Sequence, residues 1–329
     1  MHVKETKFLT KTWFLLMPFL FVYGEYVVMV ENYREPLFML KMKSISILGL
    51  FIIAVNSYAS AQTSFTPTWT LSEGLAQPES VVYDAKLSQL YVSNVQGEPG
   101  KKDGKGYIAR ISLAGKLLDK EWVKGLNAPK GMAIVGSILY VSDIDALVAI
   151  DINKKVVTMR YEAKDAKFLN DVTVDKAGNV YVSDTFTNTI YCRCDGKFAV
   201  WLQDSKLMSP NGLLAEADRL VVGSWGIIAG GFTTSVAGHL QTISYTDKKI
   251  VVLGDSKPVG NLDGLAADGS GGYYATDWTV GKLFHFNAVG KMRELMRLKQ
   301  GSADLAYLAD KKLLLIPMMN DNQLKAFTH

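Results

Sequence analysis

A unit of roughly 40 to 50 residues recurs six times along the chain, and this repeat constrains the fold more than any other feature. The clearest copy spans residues 261–286, NLDGLAADGSGGYYATDWTVGKLFHF. It holds a polar pair, an apolar strand, a glycine turn, a second strand, an acidic turn residue and a third strand. The other copies begin near residues 78, 129, 169, 210 and 302. A period of this length is typical of a β-propeller blade with four strands.

The repeat therefore predicts an all-β fold: a six-bladed β-propeller with four antiparallel strands per blade. The predicted blades span 79–123, 130–161, 170–203, 211–254, 263–297 and 303–327. The last blade ends after three strands, which leaves an open sheet edge. Residues 66–71, TPTWTL, alternate polar and apolar side chains ahead of the first blade. We expect this N-terminal strand of the mature chain to close the ring by pairing with 323–327.

The N-terminus has the pattern of an export signal. Residues 42–61 contain a basic start, an apolar run and the small residues 59–61, which is typical of a signal peptide. Residues 1–41 hold a second apolar run, for which a mis-set translation start and a membrane anchor are both open interpretations. We expect cleavage near Ala61, a propeller over 62–329, a periplasmic or secreted location, and no stable membrane association after signal removal.

Charge and cysteine content restrict the function further. The chain has 36 Lys and Arg against 32 Asp and Glu, and no basic stripe, so a nucleic-acid partner is not expected. The two cysteines, Cys192 and Cys194, lie two residues apart on a predicted strand. That spacing is unfavourable for a bridge and has no partner ligands for zinc, so we interpret both as unpaired strand residues.

The first polar residue of each unit forms the candidate site. These head residues are Glu79, Lys130, Asn170, Asn211, Asp263 and Ala303. Any one of them alone is explained as a turn residue, but in a closed ring they converge on one mouth of the channel. Asp143, Asp184 and Asp277 instead recur after the second strand, as a structural turn requires. The loops 95–106 and 225–238 are expected on the same face as the head residues.

The oxygen-bearing head residues suit a hard divalent cation. Glu79, Asn170, Asn211 and Asp263 offer two carboxylates and two carboxamides, so we predict them as metal ligands. Ca²⁺ is the expected ion, with Mg²⁺, Mn²⁺ or Zn²⁺ as alternatives. The histidines of the mature chain, His239, His285 and His329, are interpreted as non-ligands.

Four short motifs resemble a known group of proteins. ESVVYD at 79–84, the ND pair at 170–171 followed by VDKAGN, NGL at 211–213 and DG at 263–264 resemble the gluconolactonase, senescence-marker protein and luciferin-regenerating enzyme superfamily of six-bladed propellers. The resemblance covers about 75–327. It implies a metal, commonly calcium, at the channel mouth, with Glu79, Asn211 and Asp263 as ligands and Asn170 contacting metal, water or substrate.

One departure from the family pattern, Phe168, and one unusual head residue, Lys130, bear on the substrate. Phe168 stands where the sugar-lactone enzymes tend to have an arginine, which disfavours a polar sugar acid. Lys130 is either exposed to solvent or replaces that arginine by binding an anionic substrate group. Together with Asn170 and Trp225, these residues are the candidates for substrate binding.

Two functions follow, and the sequence leaves both open. The first is a metal-dependent hydrolase of lactones or related esters, in which Asp263 or a metal-bound water assists attack and Asn170 and Asn211 maintain the geometry. The second is a non-catalytic exported propeller, similar to NHL-repeat proteins, that binds a ligand or protein. The condensation chemistry of strictosidine-synthase-like relatives is a third, less favoured option.

Overall fold

The computed structural model describes residues 64–329, which form six four-stranded antiparallel sheets in a ring. The segments 1–41 and 42–61, with the predicted signal peptide, lie outside the described residues. Blade one is β2 (Pro78–Asp84), β3 (Gln89–Asn94), β4 (Gly106–Ser112) and β5 (Leu117–Leu126). Blade two is β6 (Pro129–Val135), β7 (Ile138–Asp143), β8 (Ala146–Asp151) and β9 (Val156–Glu162). Blade three is β10 (Leu169–Val174), β11 (Val180–Asp184), β12 (Thr189–Cys194) and β13 (Lys197–Gln203). The predicted fold class, an all-β six-bladed propeller, is confirmed.

Blades four to six complete the ring and include one extra hairpin. Blade four is β14 (Pro210–Ala215), β15 (Arg219–Ser224), β18 (Leu240–Ser244) and β19 (Ile250–Val252), and β16 (Gly226–Gly230) and β17 (Thr233–Ala237) form the hairpin between β15 and β18. Blade five is β20 (Leu262–Ala267), β21 (Tyr273–Asp277), β22 (Lys282–Phe286) and β23 (Met292–Arg297), and blade six is β24 (Ala306–Leu308), β25 (Leu313–Met318), β26 (Gln323–Thr328) and β1 (Thr66–Leu71). In the described part of the chain, the helices are short 3₁₀ turns at Ser205–Leu207, Ala309–Lys311 and Met319–Asp321. Within residues 64–329, no helix has the length and hydropathy needed to cross a bilayer.

The hydrophobic core lies between the blades. The first strands of neighbouring blades contact one another around the channel, and the side chains of β3, β11, β21 and β25 are buried along their whole length. Alternate residues of one strand face opposite neighbours: Leu90 packs toward blade six, whereas Tyr91 packs toward blade two. The last strands, such as β9, are mostly exposed. A blade thus buries both faces only when it has a neighbour on each side.

The sixth blade is built from both ends of the described chain. β1 pairs antiparallel with β26, with Thr66 opposite Thr328 and Leu71 opposite Leu324. β1 is the outermost strand of this sheet, and the Nε1 of Trp69 donates to the carbonyl of Leu113 in blade one at 3.1 Å. The pairing is the one expected from the sequence. Its importance for keeping the ring closed is a prediction, taken up below.

The head residues sit in β-bulges. In each of the first five blades, the pairing of the first and second strands shifts register at the head position, as between Pro78 and Val81 in blade one. Two residues of the first strand then face one of the second, which redirects their side chains. The residue after the head is a glycine in three blades: a Cβ at Gly212 would lie 2.3 Å from the carbonyl of Asp263, so the next blade leaves no room for a side chain.

Hydroxyl side chains tie the bulges of successive blades together. Ser183 accepts a hydrogen bond from the N–H of Asp171 at 3.0 Å and donates to the carbonyl of Asn211 in the next blade at 2.8 Å. Thr276 does the same between the N–H of Gly264 and the carbonyl of Ala303, at 2.8 Å each. Because these backbone groups are buried, each hydroxyl satisfies two of them at once. These hydroxyl groups therefore hold the backbone of the head residues in position.

The recurring aspartates after the second strand have the structural role expected of them. The carboxylate of Asp143 accepts from the N–H groups of Asn127 and Ala128, and that of Asp184 accepts from Lys167 and Phe168. Asp277 accepts from the N–H groups of Thr279 and Val280 in the turn after its strand, and from that of Asn261 in the connection between blades four and five. The carboxylates hold the connections between blades, so they belong to the architecture.

The interpretation of Cys192 and Cys194 as unpaired is wrong, because the structure joins them in a disulfide. Two residues of a regular strand lie about 6.6 Å apart, but these Cα atoms are 5.4 Å apart, within the range of a disulfide. The strand shortens beside a tight turn, where Asp195 and Gly196 both have positive φ. The prediction assumed the Cα spacing of a regular strand and therefore missed this local contraction.

Candidate functional site

A cavity of about 270 Å³ opens where the head residues converge. All seven residues predicted for the site line it: Glu79, Lys130, Phe168, Asn170, Asn211, Trp225 and Asp263. Ala303, the sixth head residue, is fully buried and packs with Val95, Ala128, Ile144 and Met319 instead. The structure thus brings together side chains that are 184 positions apart in the sequence at the extremes, Glu79 and Asp263. Their roles as ligands or catalytic groups remain predictions.

The cavity floor carries buried carboxylates that repel one another. Burial, followed by the charges of Asp263 and Asp304, raises the pKa of Glu79 well above its ordinary value. Burial and the charge of Asp304 also raise the pKa of Asp263, which a hydrogen bond from the Asn211 side chain opposes. Both carboxyl groups would be stabilised in their charged form by a nearby cation.

Two further carboxylates lie beneath this floor. Burial raises the pKa of Asp304 to about 6, although its carboxylate accepts from the Ser80 hydroxyl at 2.6 Å and from the N–H of Leu305 at 2.7 Å. Burial and the charge of Asp304 raise the pKa of Asp171, whose oxygens accept from the N–H groups of Val172 and Leu213. Both carboxylates have hydrogen-bond partners on each oxygen. Their negative charge nevertheless adds to that of the floor.

Two oxygen atoms of the predicted ligand set have no partner. Glu79 Oε2 and Asn211 Oδ1 are buried and make no hydrogen bond. An unpaired buried polar atom costs on the order of 1–3 kcal/mol, so both atoms favour a ligand that binds oxygen. Among residues 64–329, no three His, Cys, Asp or Glu side chains are grouped as a metal site. The predicted set does not require such a group, because two of its four donors are carboxamides, and its chemistry fits a hard divalent cation.

Lys130 is buried rather than solvated, so that interpretation is wrong. Its side chain is 2% exposed, and its Nζ donates to the carbonyls of Pro99 at 3.1 Å and Ala128 at 3.0 Å. The ammonium also lies 4.2 Å from the centre of the Phe168 ring. Burial lowers the pKa of Lys130 to about 8, against the opposing charges of Glu79 and Asp143. Lys130 therefore holds Pro99, in the loop 95–106, over the cavity.

One side of the cavity is an aromatic wall, formed by Phe168, Trp225, Phe232 and Trp278. Ring centroids are 5.3 Å apart for Phe168 and Phe232, 5.9 Å for Trp225 and Phe232, and 6.2 Å for Trp225 and Trp278. Phe186 packs behind the wall, 5.0 Å from Phe168. These distances are those of contacting aromatic pairs, so the four rings form one continuous apolar surface.

The loop 225–238 lies at the cavity as expected, but it is not an irregular glycine-rich loop. It forms the β16–β17 hairpin, and Trp225 Nε1 donates to the carbonyl of Phe232 at 2.9 Å. Asn261 anchors the hairpin by donating to the carbonyl of Trp225 at 2.7 Å and to the Thr234 hydroxyl at 3.0 Å. The hairpin thus presents Phe232 to the cavity from a hydrogen-bonded frame.

Several lining residues were not predicted from the sequence: Gln77, Pro99, Thr185, Phe232, Trp278, Met319 and Asn320. Thr185, Trp278 and Met319 share a signal with Trp225, since each directly follows the second strand of its blade. The repeat places this position beside the channel mouth in every blade, so it could have identified them. Pro99 and Phe232 lie in insertions that have no counterpart in other blades, and the repeat carries no signal for them.

The three histidines among residues 64–329 lie apart from the cavity lining. His285 Nε2 contacts a carboxylate oxygen of Asp268 at 2.8 Å, His239 contacts Gln241 at 3.1 Å, and His329 contacts the Tyr307 hydroxyl at 2.6 Å. Each imidazole therefore has a side-chain partner, and none of the three lines the cavity.

Solved structures with a similar fold include three lyases. A catalytically inactive virginiamycin B lyase from Staphylococcus aureus with quinupristin is 13% identical, with a TM-score of 0.54 over 81% of this chain and 99% of that chain. Selenomethionine-substituted virginiamycin B lyase from the same organism is 13% identical, with a TM-score of 0.56 over 81% and 100%. A streptogramin B lyase is 10% identical, with a TM-score of 0.54 over 80% and 97%. At these identities the likeness shows a shared propeller fold.

Sequence comparison identifies the family. No curated protein sequence matches the chain significantly. The family model described as the SMP-30/Gluconolactonase/LRE-like region matches residues 77–307, a stretch that contains every predicted site residue. The match covers more than half of the chain and agrees with the propeller fold. The chain therefore belongs to the SMP-30/gluconolactonase/LRE-like family.

Proposed function

We propose that this protein is an exported hydrolase of lactones or related esters that uses a divalent cation, Ca²⁺ in the first place, at the mouth of the propeller channel. The observation that carries the proposal is the pair of buried, unpartnered oxygens, Glu79 Oε2 and Asn211 Oδ1, beside the raised-pKa carboxyl of Asp263. Glu79, Asn170, Asn211 and Asp263 would hold the ion. Export rests on the signal-like pattern of residues 42–61.

In the proposed hydrolysis, each site residue would have a separate role. A cation bound there would polarise the substrate carbonyl and stabilise the oxyanion that develops on attack. Asp263 would accept the proton of the attacking water and return it to the alkoxide oxygen that leaves when the acyl carbon–oxygen bond breaks. The Asn211 side chain would keep Asp263 in place through their hydrogen bond. Asn170, whose amide donates to the Thr185 hydroxyl at 3.4 Å, would orient the carbonyl or the water. The aromatic wall would exclude bulk water from one side.

Lys130 has a supporting role in this proposal. Because two backbone carbonyls and the Phe168 ring already engage its ammonium, it would act less as a docking point for an anionic substrate than as a tether for the loop at Pro99. Its charge also partly offsets that of Glu79. A neutral lactone or ester is therefore a better partner than an anionic sugar acid.

The decisive experiment measures metal binding and hydrolysis in parallel on chain 62–329. The substrates are aliphatic, aromatic and sugar lactones with matching esters, each tested with Ca²⁺, Mg²⁺, Mn²⁺ or Zn²⁺ and with a chelator. We expect hydrolysis that is lost on chelation and restored by at least one of the ions. Calorimetric titration of the chelated protein should show one binding site.

Two other outcomes are distinguishable. Metal binding without hydrolysis of any substrate would support the non-catalytic ligand-binding propeller instead. No binding at micromolar to millimolar concentrations of any ion would overturn the metal site, and with it the proposed mechanism. N-terminal sequencing of the exported protein tests cleavage near Ala61, and an intact N-terminus retained in the cytoplasm would contradict export.

A further inference from the structure

We propose that the aromatic wall selects substrates with one apolar substituent of about the size of a phenyl ring, and that Phe232 on the β16–β17 hairpin is its specificity-determining residue. This inference rests on the proposed hydrolase function, which it deepens by naming the class of substrate. The substituent would lie against Trp225, Phe232 and Trp278 while the carbonyl points toward Glu79 and Asp263. Polyhydroxylated sugar lactones would be poor substrates.

The first argument is that several polar side chains of the cavity already make a hydrogen bond within the protein. Lys130 donates to two carbonyls, and Thr185 donates to the carbonyl of Pro210 at 3.0 Å. Gln77 accepts from the N–H of Gly97 at 2.6 Å, and Asn320 donates to the carbonyl of Gln300 at 3.3 Å. The orphaned oxygens at Glu79 and Asn211 belong to the proposed ion. A ring of sugar hydroxyls would lose water here and find few free partners in return, which is unfavourable.

The second argument is the continuity of the wall. Ring-to-ring distances of 5.3–6.2 Å link Phe168, Phe232, Trp225 and Trp278 without an intervening polar side chain. The ammonium of Lys130 lies over the Phe168 ring, so part of that ring is not available to a substrate. The remaining three rings offer a surface that an aromatic or branched alkyl group would cover by offset or edge-to-face contact.

The third argument is size. The cavity volume of about 270 Å³ lies just below the roughly 300–1,000 Å³ that is usual for sites of drug-sized ligands. A lactone ring with a single phenyl-sized group suits this space better than a long acyl chain or a fused ring system.

Phe232 lines this space from the β16–β17 hairpin. It is 43% exposed, so it contributes little to the core, yet the hydrogen bond from Trp225 to its carbonyl keeps it at the cavity. Ile227, on the same hairpin, is 48% exposed and does not line the cavity. Phe232→Ala and Ile227→Ala therefore remove similarly exposed apolar groups, but only the first shortens the wall.

The test uses chain 62–329 with its metal, three substrates and one ligand that cannot be hydrolysed in the same way. The substrates are γ-phenyl-γ-butyrolactone, unsubstituted γ-butyrolactone and glucono-δ-lactone, and the ligand is 5-phenyl-2-pyrrolidinone. The wild-type protein should prefer the phenyl lactone to the sugar lactone by at least about tenfold in kcat/KM. Phe232→Ala should raise KM for the phenyl lactone by about tenfold with little change in kcat, and weaken lactam binding by the same factor. Ile227→Ala should change neither.

The outcomes separate this inference from the function on which it rests. Lactam binding that depends on Phe232, without hydrolysis of any lactone, would support the aromatic selectivity and overturn the hydrolase. Faster turnover of the sugar lactone than of the phenyl lactone would overturn the selectivity and leave the hydrolase standing. Equal effects of Phe232→Ala and Ile227→Ala on lactam affinity, or no lactam binding at all, would also overturn it.

Discussion

The mouth of the channel and the body of the ring treat buried carboxylates in opposite ways. In the body, Asp143 and Asp184 recur at one repeat position, and backbone N–H groups bond to their oxygens. At the mouth, Glu79 and Asp263 also recur by register, but their charges repel each other and Glu79 Oε2 has no hydrogen-bond partner. A repeated carboxylate whose oxygens all accept hydrogen bonds from the protein stabilises the fold, whereas one with an unpaired oxygen is arranged to bind a ligand. Changes to the body should therefore reduce stability, and changes to the mouth should reduce function.

The largest effect is expected from removing β1. Deleting residues 62–71 exposes the edge of β26, removes the Leu71 and Trp69 side chains from the core cluster between blades six and one, and breaks the bond from Trp69 to Leu113. Two large apolar side chains and several strand hydrogen bonds together contribute about 5 kcal/mol or more. Urea unfolding of the truncated and full mature chains measures the difference. An unchanged midpoint would show that the ring closes without β1.

A functional effect of similar weight is expected at Asp263. Asp263→Asn keeps the volume but removes a charge and the proposed base, so turnover should fall by about 10³-fold or more and metal affinity should weaken. Its stability should not fall, because a buried, repelled charge is removed. Asp255→Asn, at a position 68% exposed in its side chain, is the matched control. Turnover that survives Asp263→Asn would place the base elsewhere.

The body should respond in the opposite sense. Asp143→Ala leaves the N–H groups of Asn127 and Ala128 and the guanidinium of Arg160 without their carboxylate. Breaking this buried set should cost about 4 kcal/mol of unfolding free energy. The activity per folded molecule should change far less than in Asp263→Asn. A loss of under about 1 kcal/mol in chemical denaturation would remove the distinction between the two carboxylate sets.

A smaller effect is expected in the pH dependence of the metal-free chain. Burial raises the pKa of Asp304 to about 6, so the folded state keeps this proton while the unfolded chain loses it near pH 4. The folded state therefore binds more protons in this window, and stability falls as pH rises from about 4 to about 6, by on the order of 3 kcal/mol.

Denaturation midpoints in chelator between pH 4 and 7 check this dependence. Asp304→Asn should make the curve less steep, since the carboxamide does not titrate, while Glu79, Asp263 and Asp171, whose pKa values burial also raises, keep their contributions. The same slope in the variant would assign the effect to another group, such as Asp171, whose pKa burial also raises.

The sequence by itself determined the propeller and the identity of the mouth. A repeat makes equivalent positions equivalent in space, so the head residues from Glu79 to Asp263 had to meet once six blades closed a ring. Local chemistry was sufficient as well for residues 66–71, whose alternation marked a strand with the bounds that β1 has. These properties depend on the periodicity of the repeat and of the strand, which can be read directly from the amino-acid sequence.

Tertiary structure alone decided what each side chain meets. Lys130 is charged and has no partner that the repeat predicts, yet Pro99 and Phe168 enclose it from two other segments, together with Ala128 two residues before it. Phe232 completes the aromatic wall from an insertion outside the repeat, and Cys192 meets Cys194 because the strand contracts at a turn. Partners of this kind depend on rotamers, bulges and insertions, which periodicity does not encode, because packing between residues distant in sequence selects them.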